Sequence, residues 1–487
     1  MSLQEKLEKL DRGETSRDET NPQHLWDDFK TDIQKIAKKH TNKNRHKTAI
    51  MIKNLEKDIK TVTSNPNFDT NDDLRAEEAF LENKLSHILK IAAKNQKADL
   101  RANLANHGEK LGGIWTAINK EKKPRDLIRR LKVPGSAPTQ YERSSTRMAD
   151  LARSHHNNLQ KQDIIIQDIN ERTADIELAL RAVPPQQRLE APERSPMSTM
   201  ANEDHVLRAL SFAKNNTATG MDGCPYELWK ALHQRHLERS AKNKISFDIT
   251  KILTNLFRDI QEYGVEEKTS FALGWMCPIY KKKDQTEISN YRPITLLNTD
   301  CKLFTKVLAQ QLIDDIETMV HNDQTGFIPK RTIFNNIRLA KTILKYTEIT
   351  HEDGAIVALD QEKAYDKIRH DYLWAALERF NVPQNFIQTV KALYSHAHTH
   401  VAINGKLSRP FKITRGVRQG DPLSCALFNL AIEPLACTLR QDQNLDGITI
   451  PGIEEKIIVS MFADDTNLYL GKNDRLEHVQ RILDEWC

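Results

Sequence analysis

The stretch that organises this chain is residues 457–470, IIVSMFADDTNLYL. Two adjacent carboxylates, Asp464 and Asp465, lie between apolar runs that are rich in β-branched residues. This pattern predicts a strand, a tight turn carrying the acids, and a second strand. Like charges this close resist joint ionisation unless a cation lies between them, so the turn indicates a divalent-metal site. An isolated Asp-Asp pair is more often a simple surface turn, and the choice depends on the rest of the chain.

The composition is that of an ordinary intracellular globular protein. Of 487 residues, 39% are hydrophobic and 29% are charged, which allows two to four domains with proper cores. No apolar run reaches the roughly 18 residues that span a bilayer, and the N-terminus lacks the apolar segment of a secretory signal. The six cysteines form no CxxC pairs. Membrane-spanning and disulfide-rich secreted proteins are therefore excluded, and no membrane partner is expected.

Positive charge is concentrated in the N-terminal part of the chain. Residues 1–200 hold 36 Lys and Arg against 30 Asp and Glu, while the remainder holds 36 against 37. A dense basic surface can contact a phosphate backbone, although charge runs are more often solvated helix faces. Nucleic-acid contacts are predicted for the cations of one basic run, which are Lys122, Lys123, Arg125, Arg129 and Arg130.

The N-terminal region is predicted in three parts. We expect disorder over residues 1–20, a mostly helical basic extension over 21–180, and a Pro-rich linker at a domain boundary over 181–200. Within the extension, the pattern from His24 to about Val62 predicts one helix, with the apolar residues of 52–62 on one face, and Asn71 or Asp72 can cap a second. Together they predict an antiparallel helical hairpin.

Two later segments have the residue types that bind phosphates. The loop Thr219–Gly223 precedes a helix beginning near Pro225, and such a loop either presents backbone N–H groups to phosphates or is only a turn. Further on, the strand 275–280 leads into three lysines, beginning with Lys281, and Arg292 stands before a proline. A lysine point charge and an arginine fork near one place suit a triphosphate.

A third carboxylate and a glycine-rich loop complete the candidate site. The apolar run 355–359 predicts a strand that ends in Asp360, where it could face the acidic turn. Three carboxylates from two strands can hold two Mg²⁺ ions about 3.5–4 Å apart. Asp366 instead is predicted to cap or brace the next turn. Gly416 and Gly420 let the backbone approach a ligand closely, unless the loop is merely a helix N-terminus without one.

Five segments taken together resemble the reverse transcriptase of non-LTR (LINE-type) retrotransposons in content and order. The similarity covers the chain from about Glu203 to its end and is weaker upstream, in KLGGIWTAINKEKKPRDL. It implies an α+β right-hand polymerase fold with fingers over 201–345 and an incomplete palm over 346–487, whose antiparallel sheet is flanked by helices. The segments are NYRPITLLN, DQTGFIPKRTIFNNI, VALDQEKAYDKIRH, GVRQGDPLSCALFNLAIEPLA and MFADD.

The resemblance also implies residue roles. Asp360, Asp464 and Asp465 match the catalytic ligands of two Mg²⁺ ions, which Mn²⁺ can replace. Tyr365 matches an aromatic steric gate beneath the sugar, which favours deoxynucleotides. The remaining matches fall into two sets. Those expected to contact the incoming nucleotide are Lys281, Arg292, Gln419 and Gly420, and those expected in a template-binding loop are Thr219, Gly220 and Asp222.

The function implied is RNA-directed DNA polymerisation, with an RNA template, a DNA primer and dNTPs as partners. The chain ends soon after the Asp pair, where the family continues into a thumb, and no endonuclease precedes residue 1. We therefore expect a truncated copy without a thumb, with weak or no synthesis, from an element acting in the nucleus. The alternatives are a non-catalytic RNA-binding remnant and a group II intron maturase-like reverse transcriptase. A zinc site at His396, His398 and His400 is a weaker hypothesis.

Overall fold

A computed structural model describes residues 3–43, 47–63, 65, 71–85, 87, 127–161, 168–453 and 455–486. The predicted contacts Lys122, Lys123 and Arg125 lie outside these residues. The chain divides into two compact units, one of Met1–Thr31 with Leu127–Cys487 and one of Asp32–Asp126. The named α-helices are Leu3–Asp11, Pro22–Lys43, Lys47–Thr63, Ser145–Leu159, Ile169–Leu180, Glu203–Ser211, Tyr226–Ser240, Ile249–Tyr263, Thr299–Met319, Ile333–Thr350, Ala364–Lys367, His370–Arg379, Gln384–Ser395, Ser424–Gln441 and Leu476–Trp486.

Among the described residues of the first unit, ten strands form three sheets. A two-stranded ribbon pairs β1 with β2, a mixed sheet has the order β4-β3-β6-β7 with β8 also on β6, and an antiparallel sheet has the order β5-β10-β9. The strands are β1 Leu131–Lys132, β2 Tyr141–Glu142, β3 Leu273–Tyr280, β4 Tyr291–Leu297, β5 Gly354–Leu359, β6 His398–Ile403, β7 Lys406–Leu407, β8 Phe411–Lys412, β9 Val459–Phe462 and β10 Asp465–Gly471.

Two strands of the antiparallel sheet come from residues 457–471, which contain the acidic turn. Val459–Phe462 and Asp465–Gly471 form the hairpin β9–β10, as predicted, and β5 pairs along the other edge of β10. At one end of the β10–β5 ladder, Thr466 lies opposite Leu359. Asp465 precedes Thr466 and Asp360 follows Leu359, so both acids lie just past this terminal pair. The register therefore places the acidic residues next to β5 and β10 at the same end of the sheet.

Two buried helices form the core beneath these sheets. Thr299–Met319 and Ser424–Gln441 bury residues on all sides, including polar ones, which is typical of helices inside a large domain. The helix Ile333–Thr350 covers the antiparallel sheet, with Ile343 packed in a cluster with Ile457 and Tyr469. This layer supports the acidic hairpin from behind.

The predicted disorder of residues 1–20 is wrong for its described part. Leu3–Asp11 is an α-helix with Leu7 buried. Beyond it, the Arg17 guanidinium forms two hydrogen bonds, of 2.7 and 3.1 Å, to the Asp259 carboxylate, and a third of 3.2 Å to Glu266. The partners lie more than 240 residues away in sequence, so the local composition does not show that this polar segment is held in place.

The predicted Pro-rich linker over 181–200 is a packed segment instead. Its prolines begin three short 3₁₀ helices, Pro185–Gln187, Pro192–Arg194 and Pro196–Ser198. Val183, Leu189 and Met197 are buried, and the Leu189 N–H donates to the Phe380 carbonyl oxygen at 3.0 Å. The segment belongs to the first unit with the residues on both sides of it, so the expected boundary is absent from this unit.

Where one helix was predicted from His24 to about Val62, the described residues form two helices, Pro22–Lys43 and Lys47–Thr63. The second predicted helix is confirmed in its described part by helical residues 72–85, which begin after Asn71. The Asn71 side-chain oxygen accepts hydrogen bonds from the N–H groups of Asp73 at 2.9 Å and Leu74 at 3.4 Å, as a helix cap does. Their antiparallel pairing stays a prediction. Across the described chain, no helix combines the length and apolar character needed to cross a membrane.

Candidate active site

The acidic turn has an unusual backbone conformation. Asp465 pairs with Phe462, so Ala463 and Asp464 alone connect the two strands. Ala463 has a φ of +56°, in the left-handed region that disfavours residues with a Cβ. The turn therefore stores strain, and its neighbours must hold it in place.

Three carboxylates share one electrostatic environment at this turn. Burial raises the pKa of Asp464, and the negative charges of Asp465 and Asp360 raise it further, while Lys281 lowers it. Asp464 is half-buried, whereas the other two carboxylates are exposed. Asp360, which directly follows β5, thus lies near enough to the pair on the hairpin for its charge to raise the pKa of Asp464.

The donor set suits a hard cation, because carboxylate oxygens are the ligands that Mg²⁺ prefers and a cation would relieve their mutual repulsion. Within the described ranges, however, no three His, Cys, Asp or Glu side chains come close enough together to form a ready metal site. The predicted pair of Mg²⁺ ions, and their replacement by Mn²⁺, therefore stay predictions.

Tyr365 forms a fixed wall beside the acids. Its ring stacks on Phe428 with centroids 4.4 Å apart and planes 9° apart. Its carbonyl oxygen accepts a 2.7 Å hydrogen bond from the Val417 N–H, which holds the backbone as well. Burial, then Cys425 and then the charge of Asp464 raise the pKa of the Tyr365 hydroxyl. The ring is thus held in place by stacking on Phe428 and by the hydrogen bond of its own carbonyl group.

The glycines of the loop 416–420 serve the protein's own packing. A Cβ on Gly416 would lie 2.8 Å from the Cα of Asp366, and one on Gly420 would lie 2.6 Å from the Thr295 carbonyl oxygen. Both have positive φ, of +78° and +104°. These glycines let the loop fit between β4 and the residues after β5, and the expected close approach of a ligand stays a prediction.

Gln419 is fixed by this close packing. Its carbonyl oxygen accepts a 3.1 Å hydrogen bond from the Thr295 N–H, and its side-chain nitrogen lies 3.5 Å from both Asp366 oxygens. Asp366 lies inside the short helix Ala364–Lys367 and so does not cap the next helix. Its pKa is raised to about 6, mainly by burial.

Lys281 and Arg292 lie on the β3–β4 hairpin. Lys281 follows the end of β3, where its N–H donates to the Asn290 carbonyl oxygen at 3.0 Å, and Arg292 pairs with Ile279. Both side chains are exposed. The influence of Lys281 on Asp464 shows that this hairpin brings positive charge toward the acids.

The loop Thr219–Gly223 is largely committed to the protein interior. A Cβ on Gly220 would overlap the backbone of Asn298, so glycine is required there for packing. The buried Asp222 carboxylate pairs with Lys30 at 3.1 Å, and the Thr219 carbonyl oxygen accepts a hydrogen bond from Trp275. Asp222 therefore stabilises the fold, which corrects its predicted contact with nucleic acid.

Four lysines that the sequence analysis missed gather beside this loop: Lys214, Lys230, Lys302 and Lys306, called here the lysine cluster. The Nζ atoms of Lys302 and Lys306 lie 5.6 and 5.5 Å from the centroid of the Tyr226 ring. Burial lowers the pKa of Lys306, and repulsion by the other three lysines lowers it further. The available signal was a lysine pair four residues apart on the otherwise buried helix Thr299–Met319.

Two other predicted groups have different outcomes. Arg129 and Arg130 are exposed, and the Arg130 guanidinium lies 4.4 Å from the centroid of the Tyr141 ring. The Nδ1 atoms of His398 and His400 lie 3.1 and 2.8 Å from backbone carbonyl oxygens, at hydrogen-bond distance. Since the described residues hold no cluster of metal-binding side chains, the zinc hypothesis gains no support.

Comparison with known families finds one match. Residues 280–487 match the family described as reverse transcriptase (RNA-dependent DNA polymerase). The matched range contains the three carboxylates, Tyr365 and the loop around Gln419.

Curated relatives point the same way. The transposon TX1 uncharacterized 149 kDa protein of Xenopus laevis is 30% identical over 75% of this chain and 26% of its own length. The Pol polyprotein of the type-1 retrotransposable element R2 of Popillia japonica is 34% identical over 41% of this chain and 27% of its own. The probable RNA-directed DNA polymerase from transposon BS of Drosophila melanogaster is 25% identical over 42% and 22%. The chain thus spans about a quarter of the length of these relatives.

Proposed function

We propose that this chain is an RNA-directed DNA polymerase, since residues 280–487 match the reverse transcriptase family and the similar curated proteins include the Pol polyprotein of an R2 retrotransposable element. The observation that carries the proposal is that Asp360 lies at the same end of the antiparallel sheet as Asp464 and Asp465. Two Mg²⁺ ions bound there would activate the primer 3′-OH and neutralise the leaving pyrophosphate. The 3′-oxygen bonds to the α-phosphorus of the dNTP as the bond to pyrophosphate breaks.

The surrounding side chains have complementary roles in this proposal. Lys281 and Arg292, on a hairpin directed toward the acids, bind the triphosphate as point charge and fork. Tyr365 packs beneath the sugar, and Gln419 with Gly420 supports the new base pair. Residues 201–345 then act as fingers and 346–487 as palm of a right-hand polymerase.

Single-nucleotide addition tests the proposal directly. The protein is mixed with poly(rA), 5′-labelled oligo(dT) and dTTP in Mg²⁺, and the primer is resolved on a gel. We expect primer extended by at least one nucleotide, no product when EDTA is added, and none when poly(rA) is omitted. RNA binding without any extension would reject the polymerase and favour a non-catalytic RNA-binding protein.

Replacing Tyr365 with alanine is expected to weaken the discrimination against ribonucleotides. The ring of Tyr365, which is stacked on Phe428, is proposed to clash with a ribose 2′-OH. Without the ring this clash is lost, so the preference for dTTP over UTP should fall about 10- to 200-fold. The measurement is the ratio of kcat/KM values for the two nucleotides on poly(rA). Tyr365→Phe keeps the ring and should keep the preference. A Tyr365→Ala ratio within twofold of the unmodified protein would contradict the gate role.

The lysine cluster supports a proposed path for the template strand. Lys230 donates hydrogen bonds to the Ala213 carbonyl oxygen and the Asn215 side chain, and Lys302 donates to the Ala218 carbonyl oxygen. Among the described residues, none of these four lysines forms an ion pair with a carboxylate. Gathered ammonium groups that lack acidic partners attract phosphates, and here they flank the loop that precedes Pro225.

Replacing Lys214, Lys230 and Lys306 together with glutamine is expected to weaken RNA binding and its salt dependence. Each lost phosphate contact lowers the slope of log K against log[salt] by about 0.7 for single strands, so three contacts lower it by about 2. Fluorescence anisotropy with labelled oligo(rA) over a NaCl series measures the slope. The matched control changes Lys242, Lys244 and Lys268 to glutamine. An equal change of slope in both variants would mean that the loss of net positive charge explains the effect, and would contradict a specific role of the lysine cluster.

A further inference from the structure

Gln324 is a fully buried amide, 0% exposed, that bonds to both polar groups of the strained residue in the acidic turn. Its side-chain oxygen accepts a 2.9 Å hydrogen bond from the Ala463 N–H, and its side-chain nitrogen donates a 3.2 Å hydrogen bond to the Ala463 carbonyl oxygen. The same oxygen also accepts from the Gly326 N–H at 2.9 Å. One side chain therefore fixes the peptide groups on both sides of Ala463.

The segment carrying Gln324 is itself bonded to β9. The Met461 N–H donates to the Asp323 carbonyl oxygen, and the Thr325 N–H donates to the Met461 carbonyl oxygen, both at 2.9 Å. Gly326 then passes so close to the turn that a Cβ would overlap the Ala463 nitrogen. Residues 323–326 thus lie along β9, with a single parallel bridge between Gln324 and Met461, and end at the turn.

This segment is anchored to the core from the opposite side. The Arg440 guanidinium bonds to the Asp323 carboxylate at 2.8 Å and to Glu433 at 2.6 Å. The Asn429 side-chain nitrogen donates to the Gly326 carbonyl oxygen at 2.6 Å. Since both anchors, Arg440 and Asn429, belong to the buried helix Ser424–Gln441, the position of Gln324 is tied to the core of the fold.

The left-handed conformation is unfavourable at Ala463 because the residue carries a Cβ, and it persists only where the surroundings enforce it. An amide can enforce it because it offers one acceptor and one donor, which match the N–H and the carbonyl of the same residue. A carboxylate keeps the acceptor but loses the donor, and a thioether of similar size loses both. The direction of the next residue, Asp464, depends on this conformation.

We propose that Gln324 is a positioning residue that holds the Ala463 turn and so aims the Asp464 and Asp465 carboxylates at the divalent cations. The inference rests on the proposed polymerase function for its effect on rate, but its effect on cation affinity is independent of catalysis. Gln324 itself is too deeply buried to touch the nucleotide, the primer or the template.

Gln324→Glu and Gln324→Met test the proposal beside matched variants of Gln311. Gln311 is also buried, and its side-chain nitrogen donates to the Thr199 carbonyl oxygen, away from the turn. We expect both Gln324 variants to lower kcat for single-nucleotide addition about 10- to 100-fold, with KM for dTTP unchanged, and the Gln311 variants to keep kcat. Mn²⁺ affinity, titrated by electron paramagnetic resonance, should fall severalfold only in the Gln324 variants.

Adding Ala463→Gly to Gln324→Met gives a second readout, because glycine adopts the left-handed conformation without a Cβ penalty. Partial recovery of Mn²⁺ affinity is expected. Unchanged Mn²⁺ binding in folded Gln324 variants, or an equal loss in the Gln311 variants, would overturn the proposal. Unmodified protein that adds no nucleotide, while only the Gln324 variants lose Mn²⁺ affinity, would reject the polymerase and keep the positioning role.

Discussion

Replacing Asp464 with asparagine is expected to abolish nucleotide addition and to leave RNA binding unchanged. Asp464 is the half-buried member of the three carboxylates, and the charges of Asp465 and Asp360 already oppose its ionisation. The amide removes the negative oxygen that would bind a cation at the centre of the group. Losing several kcal/mol of transition-state stabilisation corresponds to at least about a 10³-fold fall in rate.

Single-turnover addition of dTMP measures this loss, and anisotropy with labelled oligo(rA) measures binding. The matched control is Asp353→Asn, which changes an exposed carboxylate just before the opposite end of β5. It should leave both quantities within twofold of the unmodified protein. Substantial synthesis by Asp464→Asn would remove Asp464 from the catalytic group. Parallel loss of RNA binding would show a general structural defect instead.

Replacing Lys30 with methionine is expected to destabilise the first unit by about 3–5 kcal/mol. Lys30 is 2% exposed, and its Nζ lies 2.8 Å from an Asp300 oxygen and 3.1 Å from an Asp222 oxygen. Burial alone would lower the pKa of Lys30, yet the charges of Asp300 and Asp222 raise it above its ordinary value. Without the ammonium group, two buried carboxylates would face each other with no cation between them.

Urea denaturation followed by tryptophan fluorescence measures the free energy of unfolding. Trp26 is a local reporter, because its indole N–H donates to Asp300 at 2.7 Å. The control Lys35→Met changes an exposed lysine on the same helix, whose ion pair with Asp32 should contribute at most about 1 kcal/mol. A similar loss in the free energy of unfolding for both variants would mean that the buried ion pairs of Lys30 stabilise the protein no more than an exposed ion pair does.

The sequence was most informative where pattern and structure are both local. The apolar runs on either side of Phe462–Asp465 predicted the hairpin. The apolar run that ends in an acid predicted the position of Asp360 at the end of β5. Both depend on side chains within one or two strands, and the sheet register then brings them together.

Features that depend on distant partners could not be predicted in the same way. The cap at Asn71 is local and was predicted, but Lys30 meets Asp222 across 192 residues, and Gln324 meets Ala463 across 139. Gly420 shows the same limit, since its sequence pattern indicated a close approach without identifying Thr295 as what it approaches. Local spacing shows that a residue is special, whereas its partner is determined by the folded chain.

The first unit is discontinuous in sequence, and this affects how it is made. Residues 1–31 are synthesised before the rest of this unit, yet Lys30 cannot pair with Asp222 and Asp300 until both have been synthesised. The longer loop that residues 32–126 create adds little to the free-energy cost of closure. Residues 1–31 therefore reach their final place late in the synthesis of this unit, and they stay open to proteases and chaperones until then.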